Sequence, residues 1–209
     1  MLSFRDGGIN GGTGTLDLTG GNTYTGDTNI DGGVLKVNGS ITSNTFVNSG
    51  GTLAGTGVVQ GNVTNTEGTV SPGDPTGTLT VTGNYTQAQF ATLMIQIAGE
   101  SAGQFSVLNV LGNADLNGTL NPVLLDGFIP MIGQTFTFLD YAGLTGAFSR
   151  IENLNFDNMH WEITYGDTMA ILTAEAGPGV PDQGSTFLLL TLSLLGLVIY
   201  QQQLRCKHA

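Results

Sequence analysis

The sequence contains few charged residues, few basic residues and almost no cysteine. Charged side chains make up 10% of its 209 residues, against about 25% in an ordinary soluble domain. Lys and Arg together number five and the net charge is -11, so the chain lacks the basic surface with which proteins bind nucleic acid. The one cysteine, Cys206, excludes an internal disulfide and a cysteine-based zinc site.

Glycine is abundant instead, with 33 residues, and this excludes coiled coils and helical bundles because glycine destabilises helix interiors. Composition divides the chain into three parts. Residues 1–89 are rich in Gly, Thr and Asn and predict β-strand repeats. Residues 90–176 contain more aromatic side chains and predict the last coils, or a cap, of the same fold. Residues 177–209 contain the one long apolar run.

Two short templates recur along the chain. The first, Gly-x-Leu-x-x-x-Gly, occurs at residues 14–20, 33–39, 51–57 and 77–83. The second, Val-x-Gly-x, begins at Val37, Val59, Val81 and Val110. The starts of the first template lie 19, 18 and 26 residues apart. A spacing near 20 is typical of one coil of a β-solenoid, in which short strands stack on the same strands of the next coil.

Within these templates apolar and polar residues alternate. In residues 78–82, Leu79 and Val81 point to one face and the threonines to the other, which predicts a strand. Gly-Gly, Asn-Gly and Gly-Asn steps supply the corners between strands. We expect residues 71–75, which contain two prolines, to form a loop between coils. We also expect the aromatic residues beyond residue 90 to plug the end of the solenoid.

Residues 18–37 have the sequence Leu-Thr-Gly-Gly-Asn-Thr-Tyr-Thr-Gly-Asp-Thr-Asn-Ile-Asp-Gly-Gly-Val-Leu-Lys-Val. This segment closely resembles the autotransporter-associated β-strand repeat of bacterial surface proteins. Residues 68–73 followed by 77–87 resemble the later part of such passengers, so the likeness covers roughly residues 14–176. The resemblance implies a right-handed parallel β-helix exposed outside the cell, adhesive or structural in role, with no catalytic motif.

The C-terminal part is predicted to cross a membrane once. Residues 187–200 form a strongly apolar run of 14 within 183–204, a stretch of 22 residues without charge. A membrane-spanning helix needs about 20 such residues, and we place it at residues 185–204, in the inner membrane. The basic residues Arg205 and Lys207 predict a cytoplasmic end, with the β-domain exported. Cys206 is expected to be a cytoplasmic thiol rather than an acylated residue.

This tail is similar to the VPDSG type of PEP-CTERM sorting domain, which combines a short Pro-containing motif, one membrane helix and a basic end. The resemblance implies recognition and cutting by an exosortase, a membrane-embedded cysteine transpeptidase or protease. Gln183 stands where the family has Ser. The matching sorting motif consists of Val180, Pro181, Asp182, Gln183, Gly184, Ser185 and Thr186.

Export needs an entrance signal, and residues 1–8 contain no apolar core of the length that a signal peptide requires. We therefore expect this chain to be the C-terminal part of a longer protein with more coils and a signal peptide upstream, or its start to be misassigned. A tail-anchored protein with a cytoplasmic β-domain is the third possibility, and the positive charge after the apolar run argues against it.

Residues 27–32 match the first six positions of a calcium-binding loop, Asp-x-Asn-x-Asp-Gly, with Asp27, Asn29 and Asp31 as the candidate ligands. The twelfth position of that motif is Asn38, which cannot supply the bidentate carboxylate. The same residues are ordinary turn and strand residues of the repeat. The sequence therefore predicts no cofactor.

The preferred function is that of an exported, non-enzymatic surface or extracellular-matrix protein, structural or adhesin-like. Besides the exosortase and the inner membrane, its expected partners are exopolysaccharide or other surface proteins. The alternative is a membrane-anchored, carbohydrate-active β-helix enzyme, a lyase or hydrolase, using Asp157, His160 and Glu162. An outer face of Thr and Asn predicts hydrogen bonding at many positions and a distinctive pocket at none.

Overall fold

The computed structural model describes residues 3–5, 8–10, 12–24 and 26–177, with side chains from residue 12 onward. All the regular elements described are β-strands. In chain order they are β1 Ser3–Arg5, β2 Gly8–Asn10, β3 Thr15–Leu18, β4 Gly21–Asn22, β5 Thr28–Ile30, β6 Gly33–Val37, β7 Ser40–Ile41, β8 Thr45–Val47, β9 Gly51–Gly55, β10 Val58–Val59, β11 Val63–Asn65, β12 Thr69–Pro72, β13 Gly77–Val81, β14 Tyr85–Gln87, β15 Thr92–Ile97, β16 Ser106–Val110, β17 Asn113–Leu116, β18 Thr119–Leu124, β19 Thr135–Asp140, β20 Gly143–Gly146, β21 Arg150–Ile151, β22 Asn155–Phe156, β23 Met159–Tyr165 and β24 Met169–Ala176.

The strands form three sheets. Sheet 1 has the order β21-β18-β15-β12-β9-β6-β3, sheet 2 the order β22-β23-β24-β19-β16-β13-β10-β7-β4, and sheet 3 the order β1-β2-β5-β8-β11-β14-β17-β20. From β3 to β20 the chain passes through sheets 1, 2 and 3 in turn, and each such pass is one rung. Neighbouring rungs pair in parallel. The predicted all-β, parallel solenoid is confirmed.

Apolar side chains from successive rungs stack inside the solenoid. The alternation in β13 is as predicted: Leu79 and Val81 are fully buried, while Thr78 is exposed. Full burial of such a side chain stabilises the fold by about 1.5–3 kcal/mol, and the parallel register repeats it from rung to rung. The inward column of sheet 1 consists of Leu16, Leu35, Leu53, Val70, Leu93, Leu120 and Ile151.

The last strands abandon the parallel arrangement. β19 pairs with β16 in parallel on one side and with β24 in the antiparallel sense on the other. Aromatic rings gather at this end, where Phe136 makes edge contacts with Phe105, Phe128 and Trp161 at centroid distances of 5.4, 6.3 and 5.8 Å. The buried aromatic residues therefore cover the core where the regular rungs stop.

Two features differ from a simple repetition of the templates. In the fourth copy of the first template, residues 77–81 form β13 of sheet 2, whereas the other copies contain β3, β6 and β9 of sheet 1, because β12 already occupies sheet 1 in that rung. The predicted loop at residues 71–75 also begins too early, since Ser71 and Pro72 belong to β12 and pair with β9. Pro72 is the last residue of its strand, where a missing N–H is tolerated. The loop joins two sheets within one rung rather than two coils.

The corner between sheets 1 and 2 lengthens along the chain. It is formed by residues 38–39 and 56–57 in the earlier rungs, and by residues 73–76, 98–105 and 125–134 in the later ones. The corner between sheets 3 and 1 keeps short Gly-containing turns at residues 31–32, 48–50 and 66–68. These three insertions at a single corner alter the outer surface while leaving the rungs stacked.

The predicted membrane helix, sorting motif and basic residues all lie outside the described residues. Among the residues that are described, no helix has the length and hydropathy to span a membrane.

Candidate functional site

The outer face of sheet 1 forms the floor of a groove that crosses β6, β9, β12 and β15 and encloses about 320 Å³. We call it the sheet-1 groove. Because side chains alternate along each strand, one set points into the core and the other points into this groove. The outward set contains hydroxyls, a thioether, an amide and one cation. Its main members are Lys36, Thr52, Thr69, Ser71, Met94 and Gln96.

Residues 73–75 of the inserted corner form one wall of the groove. Gly55 and Gly73 exchange backbone N–H to carbonyl hydrogen bonds of 2.9 and 2.8 Å. The Thr76 hydroxyl donates to the carbonyl of Gly103 at 2.8 Å, and the Ser106 hydroxyl donates to the carbonyl of Pro72 at 2.6 Å. The wall is thus fastened to strands or loops on both sides, so the groove is preformed.

An ion pair joins the floor of the groove to this wall. The Lys36 ammonium contacts the Asp74 carboxylate at 2.5 Å, and the two side chains are 30% and 39% exposed. Such a partly exposed pair contributes about 0–1 kcal/mol to stability. Its main consequence is geometric, since it holds the two side chains against each other. The positive charge of Lys36 and the negative charge of Asp74 also cancel.

Gln96 presents a polar atom that the described part of the chain does not satisfy. Its side-chain Oε1 is buried in the groove and accepts no hydrogen bond from any described residue. Its Nε2 contacts only the Met94 sulfur, at 3.6 Å. A buried acceptor left unpaired costs about 1–3 kcal/mol, and this oxygen has almost no accessible surface, so it lowers the stability of the fold without being open to a ligand.

A second groove, about 290 Å³, lies at the end of the solenoid beside Pro122, Asn153, Phe156 and Trp161. The Asn153 amide already donates to Asn121 Oδ1 at 2.9 Å and to the Pro122 carbonyl at 3.1 Å. Trp161 is only 2% exposed and packs on Phe156 at a centroid distance of 4.6 Å. The polar and aromatic groups of this groove are therefore engaged within the protein.

Asparagine side chains form a ladder at the corner between sheets 2 and 3. Asn44 Oδ1 accepts from the backbone N–H of Asn62 at 3.1 Å, Asn62 Oδ1 from that of Asn84 at 2.9 Å, and Asn84 Oδ1 from that of Asn113 at 2.9 Å. These bonds connect residues 18, 22 and 29 positions apart. Asn62, Asn84 and Asn113 stand in the Gly-Asn steps of the second template, whereas Asn44 follows Ser43. The ladder satisfies backbone N–H groups at this corner.

The candidate calcium ligands surround β5. Asn29 lies in the middle of that strand, and Asp27 and Asp31 flank it. The Asp27 carboxylate accepts from Asn44 Nδ2 at 3.4 Å and the Asp31 carboxylate from Asn48 Nδ2 at 2.6 Å. Among the described residues, no group of three or more His, Cys, Asp and Glu side chains is arranged to hold a metal ion.

The three candidate acid–base residues lie in the β22–β23 region. Asp157 occupies the turn between the two strands with φ of 40°. His160 and Glu162 alternate along β23 with the buried Trp161, as the sequence predicts for one outward face. His160 Nδ1 is buried and has no partner among the described residues. Glu162 is exposed.

Burial changes the ionisation of several groups near the C-terminal end. It raises the pKa of the Asp140 carboxyl above its ordinary value. Burial is also the main cause that raises the pKa of the hydroxyls of Tyr141 and Tyr165. The Tyr141 hydroxyl donates to the carbonyls of Gly166 and Met169 at 2.8 and 2.9 Å. These groups are neutral more readily in the folded chain than in water, so their ionisation opposes folding.

Comparison with known proteins finds a family match in the N-terminal rungs. Residues 11–37 match the passenger-associated-transport-repeat family. The matched residues contain β3, β4, β5 and β6, which is one complete rung and the first strand of the next. The chain is therefore a parallel β-solenoid that carries an autotransporter-associated repeat.

Two extracellular serine proteases of Serratia marcescens are also similar to part of the chain. Each is 52% identical, over 46 and 44 residues, which is 22% and 21% of this chain. The matched segments make up only 4% of the length of each protease. The likeness is thus confined to a small part of those proteins.

Proposed function

We propose that the chain is the exported, non-enzymatic solenoid of a bacterial surface or matrix protein, structural or adhesin-like in role. One observation carries the proposal: the residues that match a passenger-associated repeat are the residues that build the first regular rung and the start of the next. The extracellular proteases that share a repeat-sized segment support the same location. In the proposed arrangement the solenoid is right-handed, as in the parallel β-helices it resembles.

We further propose that the protein acts by presenting surface rather than by catalysis. Asp157 is in a tight turn and Glu162 points away from the buried side of β23, and both positions have an ordinary structural use. The alternative of a carbohydrate-active enzyme stays a prediction.

The tail completes the proposal. Residues 185–204 would hold the protein in the inner membrane, with Arg205 and Lys207 on the cytoplasmic side. An exosortase would then cut near Val180–Thr186 and release or transfer the solenoid. Pro181 and Gly184 support this role, because they disfavour helix and leave an extended peptide for an enzyme to grip.

Two epitope tags test this proposal, one before Gly177 and one after Lys207, in a host that has an exosortase and with an export signal supplied. We expect the first tag at the surface or in the medium and the second in the inner membrane. Replacing Gln183 with Ser, the residue of the sorting family, should increase the separation, and Pro181→Ala should decrease it. Both tags together in the inner membrane of every variant would contradict processing, and both in the cytoplasm would contradict export.

A further inference from the structure

We propose that Asn117 is a site of spontaneous covalent modification, at which the folded chain closes to a succinimide and then opens to isoaspartate. This inference goes beyond the proposed function and does not rest on it. Asn117 and Gly118 form the corner between β17 and β18, and the backbone N–H of Gly118 donates to Oδ1 of the Asn117 side chain at 2.8 Å. The nitrogen that attacks in this reaction is therefore already held against the side-chain amide that it attacks.

The reaction needs no reactant other than water. The Gly118 nitrogen loses its proton to solvent and forms a bond to Cγ of Asn117, the bond between Cγ and Nδ2 breaks, and Nδ2 leaves as ammonia. A five-membered imide ring remains. Water then opens the ring at one of its two carbonyl carbons. Opening at Cγ gives aspartate, and opening at the main-chain carbonyl carbon gives isoaspartate, whose backbone runs through the side chain.

The local structure leaves the side chain of Asn117 open to water. Asn117 is exposed, and in the part of the chain that the structure describes its side chain has no hydrogen bond other than the one from Gly118. Gly118 has a φ of 66° and no Cβ that would crowd the imide ring. Water therefore reaches the side-chain amide from the surface, as opening of the ring requires.

A second Asn-Gly step, Asn38–Gly39, provides the comparison within the same chain. The Gly39 N–H donates to the carbonyl of Leu18 in the preceding rung at 2.7 Å, so it points away from its own asparagine side chain. Asn38 Nδ2 donates to Asp17 Oδ1 at 3.0 Å, and Asn38 Oδ1 accepts from the backbone N–H of Thr56 at 3.1 Å. The two steps have the same sequence, and the fold holds one ready to react and the other fixed between rungs.

Modification at Asn117 would disturb a buried polar contact between rungs. The Gln87 side chain is 2% exposed, and its Nε2 donates to the main-chain carbonyls of Asn117 and Thr119 at 2.9 and 3.0 Å. In isoaspartate the backbone gains one methylene, and the former main-chain carbonyl of residue 117 becomes part of a free carboxylate. The corner before β18 then no longer matches the rung beneath it, so the modified chain is less stable.

Ageing of the purified full-length chain in mild detergent, at mildly alkaline pH, tests the proposal. Peptide mapping by mass spectrometry measures deamidation at residues 38 and 117, and labelling by an isoaspartyl methyltransferase detects isoaspartate. In the folded chain we expect Asn117 to react at least tenfold faster than Asn38. In concentrated guanidinium chloride we expect the two rates to lie less than threefold apart. A smaller difference in the folded chain, or an equally large one in the unfolded chain, would overturn the proposal.

Two variants separate the reaction from its effect on stability. Asn117→Gln would need a six-membered ring, which forms far more slowly, so this variant should keep its melting temperature after ageing. Asn117→Asp adds the negative charge without lengthening the backbone, and we expect it to melt as the unmodified chain does when freshly purified. The isoaspartate form of the unmodified chain, separated by ion exchange, should melt a few degrees lower. An isoaspartate form that melts like fresh Asn117→Asp would contradict the proposed effect on the rungs.

Discussion

Replacing Phe136 with alanine is expected to lower the free energy of unfolding by about 3–5 kcal/mol. Phe136 is fully buried in β19, the strand that joins the parallel rungs to the antiparallel β24. Its ring touches three other aromatic side chains edge-on, Phe105, Phe128 and Trp161. Removing it leaves a cavity and also opens the end of the core, where no further rung lies in the described chain to cover it.

Equilibrium unfolding in urea measures this effect. Phe90→Ala is the matched control, because Phe90 is 74% exposed and its loss should change stability by no more than about 0.5 kcal/mol. Similar values for the two variants would show that the aromatic cluster does not close the solenoid.

Gly57→Ala should destabilise the chain by about 3 kcal/mol or more. Gly57 lies at the corner between sheets 1 and 2, where successive rungs are in direct backbone contact. An added methyl group would overlap the carbonyl oxygen of Gly39 and would come within 2.7 Å of the carbonyl oxygen of Val37. Backbone cannot move aside as a side chain can, so the rungs must separate. The φ of Gly57 lies outside the left-handed region, so alanine adds no backbone strain there. The expected loss of stability therefore comes from the steric clash alone.

Gly20 provides the control at the same corner. Gly39 packs on Gly20 as Gly57 packs on Gly39, but a methyl group at Gly20 would have no atom of the described chain within 4 Å. Gly20→Ala should therefore leave the melting temperature unchanged or raise it slightly, because alanine reduces the conformational entropy of the unfolded chain. Equal losses at Gly20 and Gly57 would show that stacking between rungs is not what requires glycine.

The fold class follows from the sequence because two local signals agree. Alternation in residues such as Leu79 and Val81 predicts which side chains point inward, and Gly and Asn steps predict where the chain turns. Both are properties of a few neighbouring residues. The two signals recur about every 20 residues, so each repeat forms one rung with an apolar inner face. Such a face is buried only when the rungs stack on one another.

The placement of each strand in a sheet could not be predicted in the same way. Residues 77–83 fit the template of sheet 1 as well as residues 51–57 do, because every inward strand of the solenoid has the same alternation. In the structure Thr69–Pro72 already form the sheet-1 strand of that rung, so the later copy follows it as β13 in sheet 2. Which strand occupies sheet 1 depends on pairing between rungs, about which a local template carries no information.

The sheet-1 groove escapes sequence analysis for a related reason. Its floor collects single residues from four rungs, and its wall comes from the inserted corner. The sequence analysis considered the outer side chains one strand at a time, and a groove becomes visible only when neighbouring rungs and the inserted corner are placed side by side. The prolines of residues 72–75 were the available signal, since a stiff insertion beside a flat face creates a wall.

The asparagine ladder was visible in part. The Gly-Asn steps before Val63, Tyr85 and Ala114 indicated corners, and the structure has corners there. Each Asn Oδ1 accepts from a backbone N–H of the following rung. This bond depends on the parallel register, which places the oxygen and the nitrogen 2.9–3.1 Å apart. Sequence alone supplies the turn residue but not its partner.

The register of the rungs is the central claim, since the core, the ladder and the groove all depend on it. Engineered disulfides in a Cys206→Ser background test it directly. Thr52 pairs with Thr69 in adjacent parallel strands, about 4.8 Å apart and within reach of a disulfide. The sequence template alone would instead place Thr52 beside Thr78. After mild oxidation, a non-reducing gel should show an intramolecular disulfide in the Thr52→Cys/Thr69→Cys variant and none in the Thr52→Cys/Thr78→Cys variant. The reverse result would contradict the register described here.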